Sequence, residues 1–540
     1  MTTRTFRLWL LFLYLAGVAL LALPVIGFMH SVDYSGLLPI RSPDEGHYIF
    51  RMQSHLLRPF ASVPDGVWFS PDSPPWLQVS LIEYFFGSIF SWTGLNSVQL
   101  SWLLLILFAP LSIPLIALIS RRAGSPHIVA LAAGVGFFVV TRLLTRLFHP
   151  SLSLPLTAFA FLLMWIWWDR PTRIKAAFAG FFSGILVGVY LWSWTFIVVT
   201  WALLGFLLLI SKHSNLFNKR FKSLPFVGVA WLVGALPGLI ASYRVSLSPY
   251  FAESTDRMGL LLSRQLESPA RSLMLLVMTV IFLLALKKSE DREKYAPLLA
   301  SMFALFIVYN QQLIHGRIMA FSSHYYTYVV MVAALMVAFG FSRLMTGFVS
   351  SMLIAVSLAP IFGEARDVQF WKQPLGFIFS DGTIHLKPAI DILNRSEGET
   401  VLTDGVTGNQ VRATTGNGVA FVDYARILVI STQEYVERYC LAESFTAGEI
   451  DVKWLADFQE EKSRAARAHT KELYEKHLQM AKKTCPYVKS HVPEFLYKYR
   501  VTKVLWNEKL RPDWRIDTKL FSLIASGEGW SLWDVIPFCI

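Results

Sequence analysis

A short stretch after the first long apolar run contains the residue types that proton transfer requires. It reads RSPDEGHYIFR and begins at Arg41. A helix through it places four reactive side chains on one face, at i, i+3, i+4 and i+7: Asp44, His47, Tyr48 and Arg51. A carboxylate can accept a proton or hold a metal ion, and its neighbours on that face can bind a polar substrate. We therefore predict Asp44 as a catalytic carboxylate and the other three as substrate contacts.

Glu45, the second acid of the pair, has a structural explanation as well. Ser42 can be the N-cap of the helix, Pro43 its first residue and Glu45 the capping-box acid three residues after the cap. This box explains Glu45 without catalysis and does not require Asp44, although any acid gains from a helix N-terminus. Glu45 is kept as the second catalytic candidate.

Two other polar stretches supply cations. TRLLTRLFHPS (141–151) contains Arg142, Arg146 and His149, and QQLIHGRIMAFSSHYY (311–326) contains His315, Arg317 and His324. We predict that the arginines and His315 bind a phosphate, because the planar guanidinium fork matches phosphate geometry. His149 and His324 are predicted substrate contacts. The alternatives are arginines that snorkel at the end of a span and an aromatic belt around His324 at the membrane interface.

A long polar loop at 242–271 follows a predicted span. Loops longer than about 12–15 residues are often lids or binding loops. Glu253 and Arg257 are the substrate contacts predicted there. The alternative is an ordered connector with solvated charges.

The composition indicates a membrane protein. Of 540 residues, 54% are hydrophobic and 16% charged, whereas soluble domains average about 25% charged residues. The long uncharged runs all precede residue 363, so we predict a mostly α-helical, polytopic membrane domain over 1–362 and a soluble α/β domain over 363–540. About eleven runs are long enough to span a bilayer: 8–28, 99–120, 126–141, 152–168, 175–191, 192–211, 225–242, 271–287, 295–311, 323–341 and 344–362.

The basic residues between these runs predict the topology. If the ambiguous run 74–94 lies along the interface, the basic loops near 121, 169–175, 212–222 and 287–294 all face the cytoplasm, as the positive-inside rule requires. The N-terminus is then cytoplasmic, and Asp44, the other candidate residues and the C-terminal domain lie outside, at a plasma (inner) membrane. The segment 188–196 is predicted to form an outer turn, with Trp192 and Trp194 at the interface. The net charge of +12 suits membrane lipids and lipid phosphates better than nucleic acid.

The C-terminal part has the pattern of an α/β domain. ETVLTD, GVAFVD, YRVTKVLWN and WSLWDVI predict strands, and STQEYVERYCLAESF and the charged stretch 451–484 predict helices. The stretch DGVTGNQVRATTGNG is interpreted as Gly/Asn-rich turns and contains no nucleotide-binding fingerprint. Cys440 and Cys485 could pair if this domain lies outside the cytoplasm.

The order of these features resembles that of the GT-C glycosyltransferases. An acidic pair follows the first span, then comes SPPWLQVSLIEYFFGSIFSWTGL, and then a span that ends in LIALISRRAG. Protein O-mannosyltransferases and lipid A aminoarabinose transferases share this order, whereas GVYLWSWTFIVVTW and the outer C-terminal domain resemble the catalytic subunit of oligosaccharyltransferase. The resemblance implies an outer-facing cavity, a lipid-phosphate sugar donor, and Asp44, with Glu45 second, as base or metal ligand.

The chain departs from that family in two respects. Its second outer loop contains no acid, so a divalent metal (Mg or Mn) held at Asp44 is left open. It also lacks the Trp-Trp-Asp motif of oligosaccharyltransferase, so recognition of a glycosylation sequon is not predicted. The expected function is transfer of a sugar from a polyprenyl-phosphate or pyrophosphate donor to a protein, lipid or glycan acceptor. The alternatives are a transporter or flippase, and a non-catalytic assembly subunit.

Overall fold

The described part of the chain forms two compact units. The computed structural model describes residues 1–30, 36–37, 43–60, 76–77, 79–141, 149, 151–210, 215–258, 260–262, 264, 266, 268–287, 292–319, 322–343, 348–367, 384–452 and 467–537. One compact unit, called the helical unit here, comprises Met1–Val25, Trp102–Ser242 and Ser263–Phe377. The other, called the α/β unit, comprises Ile26–Ser101, Tyr243–Leu262 and Ile378–Ile540. Each unit therefore combines three separate segments, and the domain boundary predicted after residue 362 stays a prediction.

The chain is mostly helical, as its composition predicts. Up to residue 367 the helices, in chain order, are α1 Thr3–Met29, α2 Pro43–Leu57, α3 Ile82–Phe90, α4 Ser97–Phe108, α5 Ser112–Arg122, α6 His127–Val140, α7 Ser153–Asp169, α8 Arg173–Ile185, α9 Leu191–Ile210, α10 Asn215–Ser246, α11 Phe251–Arg257, α12 Pro269–Lys287, α13 Ala296–Tyr309, α14 Gln312–His315, α15 Tyr326–Arg343 and α16 Phe348–Asp367. Two short strands, β1 Leu260–Leu262 and β2 Arg317–Met319, lie among them.

Several of these helices are built to cross a bilayer. Five stretches of the described residues are long and apolar enough to span: Thr3–Gly27, Ser97–Arg122, Leu191–Ile210, Asn218–Ser246 and Pro269–Leu286. By length and composition, they make the chain an integral membrane protein. All eleven predicted runs contain a helix, but several of these helices are shorter, so the count of eleven spans stays a prediction.

The ambiguous run 74–94 does not form a membrane-length helix. Its helix α3 has nine residues, about 14 Å at 1.5 Å per residue, whereas the hydrocarbon core is about 30 Å thick. This agrees with the prediction that the run does not span.

Helices α8 and α10 pack backbone to backbone in the helical unit. A Cβ atom added at Gly180 would lie 2.3 Å from the carbonyl oxygen of Val227, and one at Gly184 would lie 2.1 Å from that of Trp231. Only glycine allows this approach, which is the small-residue packing typical of membrane helices.

A mixed five-stranded sheet organises the α/β unit. Its strands are β3 Thr400–Leu402, β4 Gly418–Val419, β5 Lys503–Asn507, β6 Phe521–Gly527 and β7 Trp530–Val535, in the spatial order β4-β3-β5-β7-β6. The first three are parallel, with Thr400 opposite Gly418 and Val401 opposite Lys503, and β7 is antiparallel to both of its neighbours. The prediction of an α/β fold for this part of the chain is therefore confirmed, whereas β6 was not predicted.

Among the residues that the structure describes, the helices that accompany the sheet are α17 Lys387–Leu393, α18 Gly405–Thr414, α19 Thr432–Ala442, α20 Arg467–Ser490 and α21 Val492–Lys498. The interpretation of 404–418 as turns was wrong, because α18 occupies most of it. Asp404 is its N-cap, and its side chain accepts hydrogen bonds from the backbone N–H groups of Val406 (3.0 Å) and Thr407 (2.9 Å). Burial raises the pKa of Asp404. Cys440 of α19 and Cys485 of α20 form a disulfide, with Cα atoms 4.8 Å apart.

Candidate functional site

Helix α2 carries the predicted catalytic carboxylates and belongs to the α/β unit. It begins at Pro43, as the capping pattern predicts, and it follows the membrane-length helix α1. The backbone of Asp44, Glu45 and His47 is therefore helical, but their side chains lie outside the described residues, and their roles stay predictions. From Tyr48 onward the side chains are described, and the helix is buried through His55.

Arg51 is the buried cation of this helix. It is 4% exposed and donates a hydrogen bond to the carbonyl oxygen of Ser80 (2.7 Å). The hydroxyl of Ser80 in turn donates to Glu83 Oε2 of α3 (2.5 Å), and Glu83 is fully buried. Ser80 thus links a buried guanidinium on α2 to a buried carboxylate on α3. Buried charges of this kind persist only where hydrogen bonds and opposite charges compensate the lost hydration.

Helix α18 packs against α2 through a second buried arginine. Arg412 is fully buried and donates to the hydroxyl oxygen of Ser54 (2.6 Å) and to the carbonyl oxygen of Asn417 (3.2 Å). Ser54 itself donates to the carbonyl oxygen of Phe50, one turn earlier on α2 (3.0 Å). The orientation of α2 is therefore fixed from two sides, by α3 and by α18.

Two of the predicted substrate contacts meet in the helical unit. The buried His149 ring stacks on Tyr190, with centroids 4.5 Å apart, and the Tyr190 hydroxyl lies 2.5 Å from Nδ1 of His324. The ring of Trp192 stacks on the ring of His324, with centroids 4.4 Å apart. The structure brings His149 and His324 together through Tyr190, which the sequence did not single out.

The prediction of an outer turn at 188–196 with Trp192 at the membrane interface was wrong in two respects. The turn between α8 and α9 lies at 186–190 rather than 188–196, and Trp192, only 5% exposed, is not an interfacial residue. Helix α9 begins at Leu191, so Trp192 lies in its first turn, where its ring packs against protein rather than lipid headgroups.

Arg317 and His315 lie together on an exposed segment of the helical unit. Nδ1 of His315 accepts a hydrogen bond from the backbone N–H of Arg317 (3.1 Å), and Gly316 between them has φ +76°. Arg264 lies beside the same glycine and donates to the carbonyl oxygen of Leu313 (3.3 Å). Burial and the charge of Arg317 lower the pKa of His315, so His315 is a neutral hydrogen-bonding group at pH 7 and the arginines supply the charge. The other predicted phosphate ligands, Arg142 and Arg146, lie outside the described residues.

Glu253 and Arg257 connect α11 to the start of α19 within the α/β unit. Glu253 Oε2 accepts from the backbone N–H of Thr432 (2.6 Å), and Arg257 donates to the carbonyl oxygens of Leu428 and Ile430, both at 2.8 Å. Burial lowers the pKa of Arg257 to about 10. These contacts explain both residues structurally, and a substrate role for them stays a prediction.

Metal binding at Asp44 stays open as well. Among the side chains that the structure describes, no group of three or more histidines, cysteines or acids is arranged to hold a metal ion. The carboxylate of Asp44 is not one of those side chains.

Comparisons with known proteins give distant similarities. No protein-family model matches the chain, and no curated protein matches it in sequence. The cryo-EM structure of the arabinofuranosyltransferase AftD from mycobacteria is 11% identical with a TM-score of 0.49, and the match covers 98% of this chain and 40% of AftD. The crystal structure of ArnT from Cupriavidus metallidurans bound to undecaprenyl phosphate is 12% identical with a TM-score of 0.47, and the match covers 97% and 98% of the two chains.

Both of these proteins are GT-C membrane glycosyltransferases, and ArnT is an aminoarabinose transferase, one of the classes that the sequence resembles. With identities of 11% and 12% and TM-scores below 0.5, the similarities decide neither the substrate nor the reaction. The function proposed below is therefore drawn from the residues of this chain.

Sequence reasoning missed several buried polar residues beside α2. Glu83 lies in the run 74–94, which was interpreted as an interfacial helix, so this acid was not considered as part of a site. Ser54 and Arg412 gave no signal, because their pairing spans more than 350 residues. Only the fold brings them together.

Proposed function

We propose that this protein is an inverting glycosyltransferase of the membrane, which moves a sugar from a polyprenyl-phosphate (or pyrophosphate) donor to an acceptor outside the cytoplasm. One observation carries the proposal. Helix α2 begins with Pro43-Asp44-Glu45 shortly after a membrane-length helix, and its next two turns are buried among ionisable groups, Arg51 and Glu83. Buried ionisable groups cluster at functional sites, which makes this part of α2 the candidate site.

The proposed step needs one base and one leaving group. The oxygen of an acceptor hydroxyl attacks the anomeric carbon from the side opposite the phosphate and forms the new C–O bond. The bond from the anomeric carbon to the phosphate oxygen breaks, and the lipid phosphate leaves with its electron pair. Asp44 accepts the proton of the hydroxyl, which is general-base catalysis. For Glu45, the second catalytic candidate, we propose the role of the capping acid at the start of α2.

Cations favour departure of the phosphate. Arg317 is proposed for this role, and His315 is proposed as a neutral hydrogen-bond donor beside it. Arg142 and Arg146 are proposed as further phosphate ligands, because each carries the same guanidinium group. A divalent metal at Asp44, Mg²⁺ or Mn²⁺, would add positive charge near the phosphate. The acceptor, whether protein, lipid or glycan, is left open, with His47, Tyr48, His149 and His324 among its proposed contacts.

The disulfide between Cys440 and Cys485 supports a location outside the cytoplasm. Disulfides persist in oxidising compartments and are rare in the cytosol. The positive-inside pattern gives the same orientation, with the N-terminus cytoplasmic and the C-terminal domain on the outer side of the plasma membrane.

A transfer assay tests the proposal. The full chain, reconstituted in sealed proteoliposomes, is incubated with radiolabelled polyprenyl-phosphate sugars and with membrane extracts as acceptor, and the same sugars as nucleoside-diphosphate sugars serve as the control donors. We expect label to pass from the lipid-phosphate donor to a different molecule of the extract, and we expect no such transfer from the control donors. Movement of the lipid across the bilayer without any sugar transfer would instead support the flippase alternative.

A further inference from the structure

An open groove lies between α6, α15 and α16 on the surface of the helical unit. The described residues that line it are all apolar. Its floor is buried, with Phe137 of α6 and Ala334 of α15 at 2% and 6% exposure, whereas Gly136 and Phe341 at its rim are exposed. Its volume is about 200 Å³. Pockets for whole drug-sized ligands measure about 300–1,000 Å³, so this groove suits one segment of a longer apolar ligand.

Gly136 keeps the groove open. Glycine weakens the interior of a helix, and α6 contains two glycines, Gly134 and Gly136. A Cβ atom at Gly134 would lie 2.3 Å from the carbonyl oxygen of Ile113, so close helix packing explains that residue. A Cβ atom at Gly136 would have no heavy atom of the described structure within 4 Å. Helix packing therefore does not explain Gly136, and its missing side chain leaves space in the groove.

One end of the groove carries a positive charge. Tyr326 lies one turn before Val330, on the face of α15 that lines the groove. Its hydroxyl donates to the carbonyl oxygen of Pro360 (3.0 Å), and the next residue, Ile361, lines the groove as well. The guanidinium carbon of the exposed Arg271 lies 5.1 Å from the centre of the Tyr326 ring. The apolar groove thus leads to an arginine, at the end that is predicted to face the outer membrane surface.

The groove is as long as one leaflet of a bilayer is thick. Along α6 its lining residues extend from Val129 to Val140, a rise of about 16 Å at 1.5 Å per residue. The hydrocarbon core of a bilayer is about 30 Å thick, so one leaflet measures about 15 Å. An acyl chain of a phospholipid spans one leaflet and matches this length. A polyprenyl tail is longer and would extend beyond the groove.

We infer that this groove binds one acyl chain of an anionic phospholipid of the membrane, and that Arg271 contacts its phosphate headgroup. A guanidinium forms charge-assisted hydrogen bonds with phosphate oxygens, and a cation near the surface favours a lipid with net negative charge. The bound chain fills the space between α6, α15 and α16 and so stabilises their packing. This lipid is distinct from the sugar donor, and the inference does not depend on the proposed function.

Substitutions that fill the groove test the chain site. Gly136→Leu places a side chain in the groove where its Cβ meets no protein atom, and leucine is the better helix former, so the variant should fold. The exposed Gly228 of α10 also has no heavy atom within 4 Å of an added Cβ, but it does not line the groove. Gly228→Leu is therefore the matched control. Ala132→Leu, one turn before Gly136 on the rim, is a second variant in case Gly136→Leu does not fold.

The measurement is lipid binding by the full chain, delipidated in detergent and titrated with phosphatidylglycerol or phosphatidylcholine. Melting temperature and native mass spectrometry are the two readouts, and neither requires transfer activity. We expect phosphatidylglycerol to stabilise wild type and Gly228→Leu and to remain bound to both, and to do so much less for Gly136→Leu and Ala132→Leu. Equal lipid binding by wild type and the groove variants, or none by wild type, would overturn the inference.

Substitutions of Arg271 test the headgroup contact. Arg271→Gln should weaken binding of phosphatidylglycerol about fivefold and remove the preference over phosphatidylcholine, because one cation near a lipid surface contributes about that factor. Arg271→Lys keeps the charge and should keep the preference. An unchanged preference in Arg271→Gln would overturn the assignment of the headgroup to this arginine.

A competition experiment tests the choice of lipid. We expect polyprenyl phosphate to leave phosphatidylglycerol bound to wild type at equal concentration. Displacement at equal or lower concentration would overturn the phospholipid as the occupant and assign the groove to the tail of the donor. A failure of sugar transfer would refute the proposed function and would not change any of these binding results.

Discussion

The charge state of His477 is set by its surroundings in the α/β unit. It is 7% exposed on α20, and burial lowers its pKa to about 4, with Arg257 and Lys476 acting in the same direction and Glu253 opposing them. An unfolded histidine has a pKa of about 6.5. The folded protein therefore holds this ring neutral over a range of pH in which the unfolded chain would protonate it.

We predict that His477 makes the protein less stable in mild acid. Above pH 6.5 both states are neutral and nothing is lost. As the pH falls from 6.5 to 4 only the unfolded state takes up the proton, so stability declines by up to about 3 kcal/mol. Melting temperatures of wild type and His477→Gln across this range should diverge, with the variant falling less. The exposed His491, replaced in the same way, is the control, and equal slopes for wild type and His477→Gln would contradict the prediction.

Sequence reasoning at this scale located reactive residue types but not their partners. The start of α2 at Pro43 was predictable from its local capping pattern, because such a pattern involves only neighbouring residues. The partners of Arg257, at Leu428 and Ile430, were not, because the contact joins segments about 170 residues apart. From the sequence, only the positive charge of Arg257 and its place in a long polar loop indicated a ligand contact.

At the scale of elements, a disulfide joins α19 to α20. It closes a loop of 45 residues between Cys440 and Cys485. In the chain-entropy account, a crosslink over a loop of this length stabilises the folded state by about 4 kcal/mol, because it restricts the unfolded chain.

We predict that the Cys440→Ser, Cys485→Ser double variant lowers the free energy of unfolding of the α/β unit by an amount of this order. Thermal unfolding of wild type with and without a reductant, compared with the double variant, measures it. The reductant should destabilise wild type and leave the variant unchanged. A wild type whose Cys440 and Cys485 react with maleimide before reduction would contradict the disulfide.

The hydrophobic pattern predicted the apolar helices but neither their exact ends nor the polar helix α18. Each of the eleven apolar runs contains a helix, because apolar length is a direct signal. Helix α18 was missed because Gly405, Gly408 and Asn409 weaken its local signal. The tertiary structure favours Gly408, since a Cβ there would lie 2.9 Å from the carbonyl oxygen of Phe421.

At the scale of the whole molecule, each of the two compact units is assembled from three separate segments of the chain. The sequence, in contrast, predicts a single boundary after residue 362. The segments 26–101 and 243–262 belong to the same unit as the C-terminal sheet. Hydropathy cannot predict this grouping, because it follows the order of the chain and is blind to contacts between distant segments. The grouping places α2 in the same unit as α18, whose Arg412 bonds to Ser54 of α2.

The predicted orientation of the chain is testable with reporter fusions. In a bacterial host, alkaline phosphatase fused after residue 367 should be active, because that point is predicted to lie outside, and a fusion after residue 287 should be inactive. Green fluorescent protein at the same two points should give the reverse pattern. Phosphatase activity at 287 together with fluorescence at 367 would invert the topology and move Asp44 to the cytoplasmic side.

The most direct test of the proposed reaction compares Asp44→Asn with Glu45→Gln in the lipid-phosphate transfer assay. Glutamine still completes a capping box, so Glu45→Gln should fold like wild type and retain most of its turnover. Asparagine cannot accept the proton, so Asp44→Asn should lose about a hundredfold or more in kcat with little change in melting temperature. Wild-type turnover in Asp44→Asn would contradict the account.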